Sequence, residues 1–232
     1  MKNKHSKRYK KIFDQSKDKK IETIDEAIKK VKANCTTKFN ESIDVSFHLN
    51  LKHKKEEITL RTTTKLPHGN GKKVRVAVLC EESKVNEAKD SGADLYGSDN
   101  LINDINNGKI NFDKLVATPG MMSKMGKLGK ILGPKGLMPN PKLGTVTNDI
   151  KKAITHAKSG QDEIRNDKDG NIGLSIGKKS FQDDKLLLNY NAVIDALEKE
   201  KNNITIKGDL IRNAYITSSM GVSYKIKLGK SL

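Results

Sequence analysis

Apolar and polar residues alternate in several short segments near both ends of the chain. The period of two is clearest over residues 43–49, where every second residue is apolar, as in a strand with one buried face. Further strands are predicted over residues 58–64, 211–217 and 222–228. The sequence therefore predicts sheet-forming segments on both sides of the middle of the chain.

A helical repeat predicts two amphipathic helices among these strands. One begins at a capping box of Thr23 and Glu26, whose side chains can each bond the other's backbone N–H, and it ends near Ala33. A shorter helix is predicted over residues 4–13. A long helix is predicted within residues 180–201, with an apolar stripe made of Leu186, Leu187, Tyr190, Val193, Ile194 and Leu197.

The middle of the chain has a different pattern, in which short apolar runs alternate with helical segments. Residues 74–79 are almost continuously apolar, which is typical of a strand covered on both faces. This alternation predicts a small parallel α/β domain. Gly126 and Gly129 weaken the helix predicted over residues 121–132, and Thr147 is the predicted cap of the helix over residues 147–158. The further strands are predicted over residues 93–96 and 115–117, and the helices over residues 83–91, 100–106, 121–132 and 147–158.

Turn-forming residues separate the middle of the chain from its ends. Pro67, Gly69 and Gly71 mark a turn or hinge at one boundary. Beyond the other boundary, near residues 158–163, residues 164–172 resemble a β-hairpin with its turn at Asp169 and Gly170. Two α+β segments thus flank an α/β segment, which predicts one domain inserted into another. Two neighbouring linkers of this kind permit hinge motion.

A stretch rich in glycine and proline lies at the centre of the chain, over residues 133–144. Residues 118–145 together contain six of the 18 glycines, four of the five prolines, five lysines and no acidic residue. Such a loop is stiff and cationic, so it either holds a local geometry or contacts a partner.

The charge balance indicates a polyanionic partner. The chain has 45 basic and 28 acidic residues, a formal net charge of +17, and nucleic acid is the commonest polyanion that proteins bind. A biased codon usage could explain part of the lysine content. The two cysteines, Cys35 and Cys80, have no CxxC partner, and no apolar run resembles a signal peptide or a membrane span. We therefore expect a cytoplasmic, soluble protein.

The residues that usually carry catalysis are not arranged for it. Neither Gly177-Lys178-Lys179 nor Gly229-Lys230-Ser231 has the earlier glycine that a phosphate-binding loop needs. A GxGxxG motif does not follow residues 74–79, and the five histidines are scattered. The sequence thus predicts that the protein is not an enzyme and holds no cofactor or metal.

Several segments closely resemble the bacterial large-subunit ribosomal protein L-one family, and the match extends over nearly the whole chain. The residues that carry the resemblance are Lys7-Arg8-Tyr9, Thr23–Ala27, Leu66–Val76, Val116–Pro119, Gly129–Val146 and Ser219–Gly221. The resemblance implies a fold of mixed class, α+β and α/β. A split β-α-β sandwich domain would comprise residues 1–66 plus 162–232, and a Rossmann-like three-layer α/β domain, residues 67–161, would be inserted in it.

The resemblance also implies a function. Members of the family are structural constituents of the large ribosomal subunit that bind 23S rRNA at its mobile stalk. They assist the release of deacylated tRNA from the exit site, and many repress translation of their own operon mRNA. We accordingly expect 23S rRNA, exit-site tRNA, the operon mRNA and other large-subunit components as partners. The free protein is expected to be a monomer associated with no membrane.

The RNA-binding residues of the family fall mostly on the predicted sandwich domain. A serine hydroxyl and a glutamate can bond 2′-hydroxyls and base edges, and a glycine turn lets RNA approach the backbone. Phe39 and Met220 could alternatively fill the core. The residues that the resemblance implies for RNA binding are Lys38, Phe39, Glu41, Ser42, Arg165, Lys168, Ser219, Met220 and Gly221.

Four positions depart from the usual residues of the family. Ser219 replaces a threonine and Asn40 replaces an aspartate, and both keep hydrogen-bonding ability. Gly120 replaces an aspartate, and Thr62 replaces a glycine. The central loop of residues 133–144 would mainly shape the inserted domain, with secondary RNA contacts from its lysines.

Overall fold

The computed structural model describes residues 5–16, 21–50, 60–201 and 208–228, with the side chains of Gln15 and Lys142 excepted. The chain divides into two compact units, Met1–Gly71 with Glu163–Leu232, and Lys72–Asp162. The first boundary lies five residues beyond the predicted one. The buried Asn189 explains this, because its Oδ1 accepts from His68 N at 3.1 Å and its Nδ2 donates to Gly69 O at 2.9 Å.

Helices and strands alternate along most of the described chain. The α-helices are α1 (Lys7–Gln15), α2 (Ile24–Ala33), α3 (Val85–Asp90), α4 (Asp99–Asn106), α5 (Met122–Met125), α6 (Gly129–Leu132), α7 (Ile150–Lys158) and α8 (Asp183–Lys201). The strands are β1 (Ser42–Leu49), β2 (Arg61–Lys65), β3 (Val76–Leu79), β4 (Leu95–Gly97), β5 (Lys114–Ala117), β6 (Gln161–Arg165), β7 (Asn171–Lys178), β8 (Ile211–Ser218) and β9 (Tyr224–Ile226).

The first unit is built on a four-stranded antiparallel sheet in the order β7-β1-β8-β9. The predicted alternation in β1 is confirmed, since Ile43, Val45, Phe47 and Leu49 are all buried. They pack against the apolar faces of α2 and α8, which include Ile28 and other buried residues of both helices. One face of the sheet thus forms the core of this unit.

The capping box predicted at the start of α2 is confirmed. Glu26 N donates to Thr23 Oγ1 at 3.5 Å, and Thr23 N donates to Glu26 Oε2 at 3.3 Å. The start of the predicted second strand, residues 58 and 59, lies outside the described residues.

The hairpin predicted over residues 164–172 is wrong as a strand pair. Its turn is present, with Gly170 in the left-handed region at φ 79°. However, β6 pairs with β2 in a separate two-stranded sheet, and only an isolated bridge joins Asn166 to Ile172 among the described residues. Asn166 helps to direct β6 away from β7, because its Oδ1 accepts from Leu60 N at 2.6 Å.

The second unit contains a parallel sheet in the order β4-β3-β5. All four residues of β3 are buried, as the continuous apolar run predicted. Side chains on one face pack with α3 and α7, and those on the other pack with α4, α5 and α6. The mixed α/β class is therefore as expected.

Two local predictions in the second unit need correction. The helix predicted over residues 121–132 is two short α-helices, α5 and α6, joined by the 3-10 turn Gly126–Leu128. Gly126 begins this turn and Gly129 follows it, and glycine destabilises the interior of a regular helix. The cap of α7 is Asp149 rather than Thr147, since Asp149 Oδ1 accepts from Lys152 N at 3.2 Å. Thr147 instead accepts from Asp149 N.

Candidate nucleic-acid interface

The start of β1 and the end of β8 form one corner of the four-stranded sheet. Ser219 N donates to Ser42 O at 3.1 Å, and Ser42 N donates to Ser219 Oγ at 3.0 Å, across 177 positions of sequence. In the adjoining register Ile43 pairs with Ser218. The structure thus brings together two predicted groups of RNA-binding residues. We name residues 37–42 and 218–221 the corner surface.

Glu41 is the internal support of the corner surface, because its side chain is completely buried. Its Oε1 accepts from the Thr37 hydroxyl at 2.8 Å and from Thr37 N at 3.3 Å. Its Oε2 accepts from Met220 N at 3.1 Å. A carboxylate enclosed in this way is not exposed to a ligand in this conformation, and its hydrogen bonds hold the two segments of the corner surface together.

The hydrogen bonds of Glu41 decide its charge state. Burial raises the pKa of the carboxyl, but the hydrogen bonds, headed by that of the Thr37 hydroxyl, outweigh it and leave the pKa below 4.5. Glu41 is therefore an anion at neutral pH. It joins the segment before β1 to the turn after β8.

Two large apolar side chains project outward from the corner surface. Phe39 is 54% exposed and Met220 is 50% exposed, so the alternative that they fill the core is wrong. Lys38 beside Phe39 is also exposed. An exposed ring and thioether next to a cation can stack on unpaired bases while the cation contacts phosphate.

Gly221 closes the turn after β8, where Gly221 N donates to Ser218 O at 3.1 Å. A Cβ built on Gly221 would overlap the Ser218 hydroxyl, whereas the Cβ of Ser218 is 3.6 Å away, an ordinary contact. A side chain at position 221 would thus force the Ser218 hydroxyl to move, which is a packing reason for glycine in addition to the predicted approach of RNA.

We expect Gly221→Ala to lower the free energy of unfolding by about 1–3 kcal/mol, the usual cost of overpacking. Ser218→Ala removes the obstructing hydroxyl, so the double variant should be nearly as stable as Ser218→Ala alone. Urea unfolding of the four proteins measures this coupling. Additive losses in the double variant would contradict the packing explanation.

Several neighbours of the corner surface were missed in the sequence. Arg8 on α1 donates to Met220 O at 2.7 Å and to Thr36 Oγ1 at 3.2 Å. Lys178 Nζ donates to Ser42 Oγ at 2.7 Å. The two residues of each contact are far apart in sequence, so the periodicity of apolar residues does not predict these contacts. Arg8 belongs to a segment that carries the family resemblance, and this was the one available indication.

The departure at Asn40 is accommodated by a reciprocal side-chain contact. Asn40 Nδ2 donates to Ser180 Oγ at 3.0 Å, and Ser180 N donates to Asn40 Oδ1 at 3.2 Å. The departure at Ser219 keeps the hydroxyl that accepts from Ser42 N. Both positions therefore retain a hydrogen-bonding function within the protein.

The structure does not bring Arg165 and Lys168 to the corner surface. Both are exposed, but they lie near the turn before β7, whose Gly170 O accepts from Leu49 N at 2.8 Å. Ser42 is at the opposite end of β1, about 20 Å away at the rise of a β-strand. An RNA ligand would have to extend along the sheet to touch both groups.

The central loop of the second unit is held by contacts with neighbouring residues of the same unit. Asn140 N donates to Thr145 Oγ1 at 2.8 Å, and Gly136 and Gly144 have φ values of 68° and 69°. Leu143 is buried. These contacts agree with a loop that shapes its own unit.

Metal and thiol chemistry find no support in the described part of the chain. It contains no group of three or more histidine, cysteine, aspartate or glutamate residues placed to hold a metal ion. Cys35 and Cys80 are both buried, and burial raises the pKa of each thiol. None of the described helices combines the length and apolar character needed to cross a membrane.

Comparison with known proteins identifies the family. The sequence model of the Ribosomal protein L1p/L10e family matches residues 31–222. The large ribosomal subunit protein uL1 of Pelagibacter ubique is 63% identical over 227 residues, which cover 98% of this chain and 99% of that protein. The uL1 proteins of Rickettsia akari and Fervidobacterium nodosum are 48% and 43% identical, over 87% and 97% of this chain and 84% and 96% of their own lengths. The chain, whose corner surface falls wholly within the matched region, belongs to the ribosomal protein L1p/L10e family.

Proposed function

We propose that this protein is a structural constituent of the large ribosomal subunit and that it binds 23S rRNA at the mobile stalk through the corner surface. The observation that carries the proposal is the joining of two distant segments around the buried Glu41. Glu41 thereby joins the segment that carries exposed Lys38 and Phe39 to the turn that carries exposed Met220. The names of the relatives, all large-subunit proteins, support the same location.

The chemistry of the corner surface favours RNA over duplex DNA. Exposed apolar side chains stack on bases that are unpaired or splayed out, which RNA loops and junctions offer and a regular duplex does not. A surface that bound nucleic acid by charge alone would need lysines and arginines but no exposed ring. The exposed ring of Phe39, at 54% exposure, distinguishes the corner surface from a surface that binds nucleic acid by charge alone.

Two further roles are part of the proposal. The protein assists the release of deacylated tRNA from the exit site, with the second unit as the mobile part of the stalk. It also represses translation of its own operon by binding an mRNA element that resembles the rRNA site. The proposed motion of the second unit is supported by the way the chain connects the units, since it passes from one to the other only at residues 71–72 and 162–163. Two short connections are typical of hinged domains.

A binding competition tests the proposed function. The full chain is bound to a labelled 23S rRNA stalk fragment, and unlabelled stalk fragment, operon leader mRNA or random duplex DNA is added. We expect both RNAs to compete and the DNA to compete at least about 1,000-fold less well, the lower range for specific over non-specific binding. Equal competition by DNA would instead identify a non-specific polyanion-binding protein.

Membership of a ribosomal protein family confirms the prediction that the protein is structural and not an enzyme. The high net charge of +17 then has a direct explanation. A protein that lies among rRNA phosphates is stabilised there by cations that would repel one another in isolation.

A further inference from the structure

Helix α1 has a charge order that differs from that of the other long helices of the first unit. In α2 the acidic residues Asp25 and Glu26 occupy the first turn and basic residues the last, and α8 has the same order. The positive end of the helix dipole lies at the N-terminus, so this order stabilises a helix. Helix α1 has no acidic residue in its first turn and no basic residue in its last turn.

The basic residues of α1 are concentrated in its N-terminal half. They are Lys7, Arg8, Lys10 and Lys11. Positive charges there oppose the helix dipole, and Lys7 repels Lys10 and Lys11 at spacings of three and four residues. This arrangement weakens a helix of nine residues, which is already marginal by its length. A bound polyanion would reverse both effects.

Contacts on one side of α1 hold it beside the corner surface. Arg8 donates to Met220 O at 2.7 Å, and Ile12 is buried. Lys7, Lys10 and Lys11 are exposed away from these anchoring contacts, and the described residues provide no carboxylate within ion-pair distance of any of them. The three ammonium groups are therefore available to a ligand that already contacts Met220.

Aromatic side chains lie next to the lysines on α1. The ring centroids of His5 and Tyr9 are 4.8 Å apart, and those of Tyr9 and Phe13 are 6.2 Å apart with the rings stacked. Phe13 is 40% exposed. Cations beside exposed rings match the phosphates and bases of single-stranded or looped RNA. Asp14 is the one acidic residue of the helix.

We propose that Lys7, Lys10 and Lys11 form a phosphate-binding extension of the corner surface and contact the same RNA molecule. The proposal rests on the proposed function, since it needs an RNA at Met220. It adds an element that the predicted RNA-binding residues do not include. The link through Arg8 favours RNA over an anionic membrane, to which a basic helix with exposed rings could also bind.

The test replaces the three lysines together in the full chain, as Lys7→Gln, Lys10→Gln and Lys11→Gln. The matched control replaces three exposed lysines on other elements, Lys65, Lys151 and Lys199, and so removes the same charge. Affinity for the 23S rRNA stalk fragment is measured from 50 to 300 mM KCl. We expect the α1 variant to reduce the slope of log affinity against log salt by about 2–3, and to bind more weakly than the control at every salt concentration.

Further measurements separate the outcomes. Triple replacement by arginine keeps the charge and should retain the wild-type slope. Circular dichroism should show no loss of helix in the glutamine variant, because removing like charges favours α1. A slope equal to that of the control overturns the proposal. So does loss of binding to phosphatidylserine vesicles with unchanged RNA affinity. Failure of wild-type protein to prefer the stalk fragment over random DNA would instead contradict the proposed function.

Discussion

Replacing Glu41 by glutamine is expected to reduce affinity for the 23S rRNA stalk fragment by about tenfold or more, although the residue is completely buried. Groups that can only donate face the carboxylate, among them the Thr37 N–H and the Met220 N–H. A carboxamide must turn its own N–H₂ toward one of them. A buried donor left unpaired costs about 1–3 kcal/mol, so the corner surface of the free variant would leave this conformation. RNA binding would have to restore it, and about 1.4 kcal/mol of that cost is tenfold in affinity.

The same substitution should change the acid sensitivity of the protein. The pKa of Glu41 is lower in the folded protein than its ordinary value of 4.5. The ionised side chain therefore stabilises the fold fully above about pH 4.5, and this contribution is lost as the pH falls through the lower, folded value. The difference in free energy of unfolding between wild type and the glutamine variant should be constant from pH 7 to 5. It should shrink below pH 4.5.

Urea unfolding followed by circular dichroism measures the stability difference, and filter binding measures the affinity. Glu163→Gln is a matched control in the same unit, because Glu163 pairs with Arg61 at a partly exposed site away from the corner surface. Exposed ion pairs contribute little to stability, so the control should change both quantities by less than about 1 kcal/mol. Wild-type affinity in the Glu41 variant would show that the corner surface does not need its carboxylate.

Removing the two exposed apolar side chains of the corner surface should greatly reduce RNA binding and leave the stability of the protein almost unchanged. Phe39→Ala combined with Met220→Ala is expected to reduce rRNA affinity by about 100-fold. Stacking of a base on an aromatic side chain is worth about 1–3 kcal/mol, and the thioether adds to it. Because both side chains are about half exposed, their loss creates no internal cavity.

Leu188→Ala is the matched control for this pair, since Leu188 is 49% exposed on α8 of the same unit. The control should retain both affinity and stability. The double variant should unfold at the urea concentration of the wild type. A folded double variant that binds the stalk fragment as tightly as the control would exclude Phe39 and Met220 from the RNA site.

Local sequence determines two of the features that were predicted correctly. The alternation in β1 and the capping box of α2 each depend on residues only a few positions apart in the sequence, and both are confirmed. The pairing of β6 depends on Asn166 and Leu60, which are 106 positions apart. No local pattern in residues 164–172 reveals that partner, and the turn by itself predicts a hairpin.

The candidate site shows the same division. The family resemblance provided the residues, but it could not say which of them face outward. The resemblance predicts an RNA contact for Glu41, and a carboxylate can bond 2′-hydroxyls and base edges. Its burial depends on Met220 N, 179 positions away. Ser42 and Ser219 likewise bond each other, so their predicted role in RNA contact stays a prediction alongside that of Lys38.

The joining of Ser42 to Ser219 has a consequence for the order of events during synthesis. A nascent chain that has reached residue 217 contains Phe39, Lys38 and Glu41 but lacks the Met220 N–H and the Ser219 hydroxyl that fix them. The corner surface is thus assembled only when the last strands have left the ribosome. Under the proposed function, chains that end before residue 219 would lack a complete corner surface and would bind the rRNA site less tightly than chains that contain it.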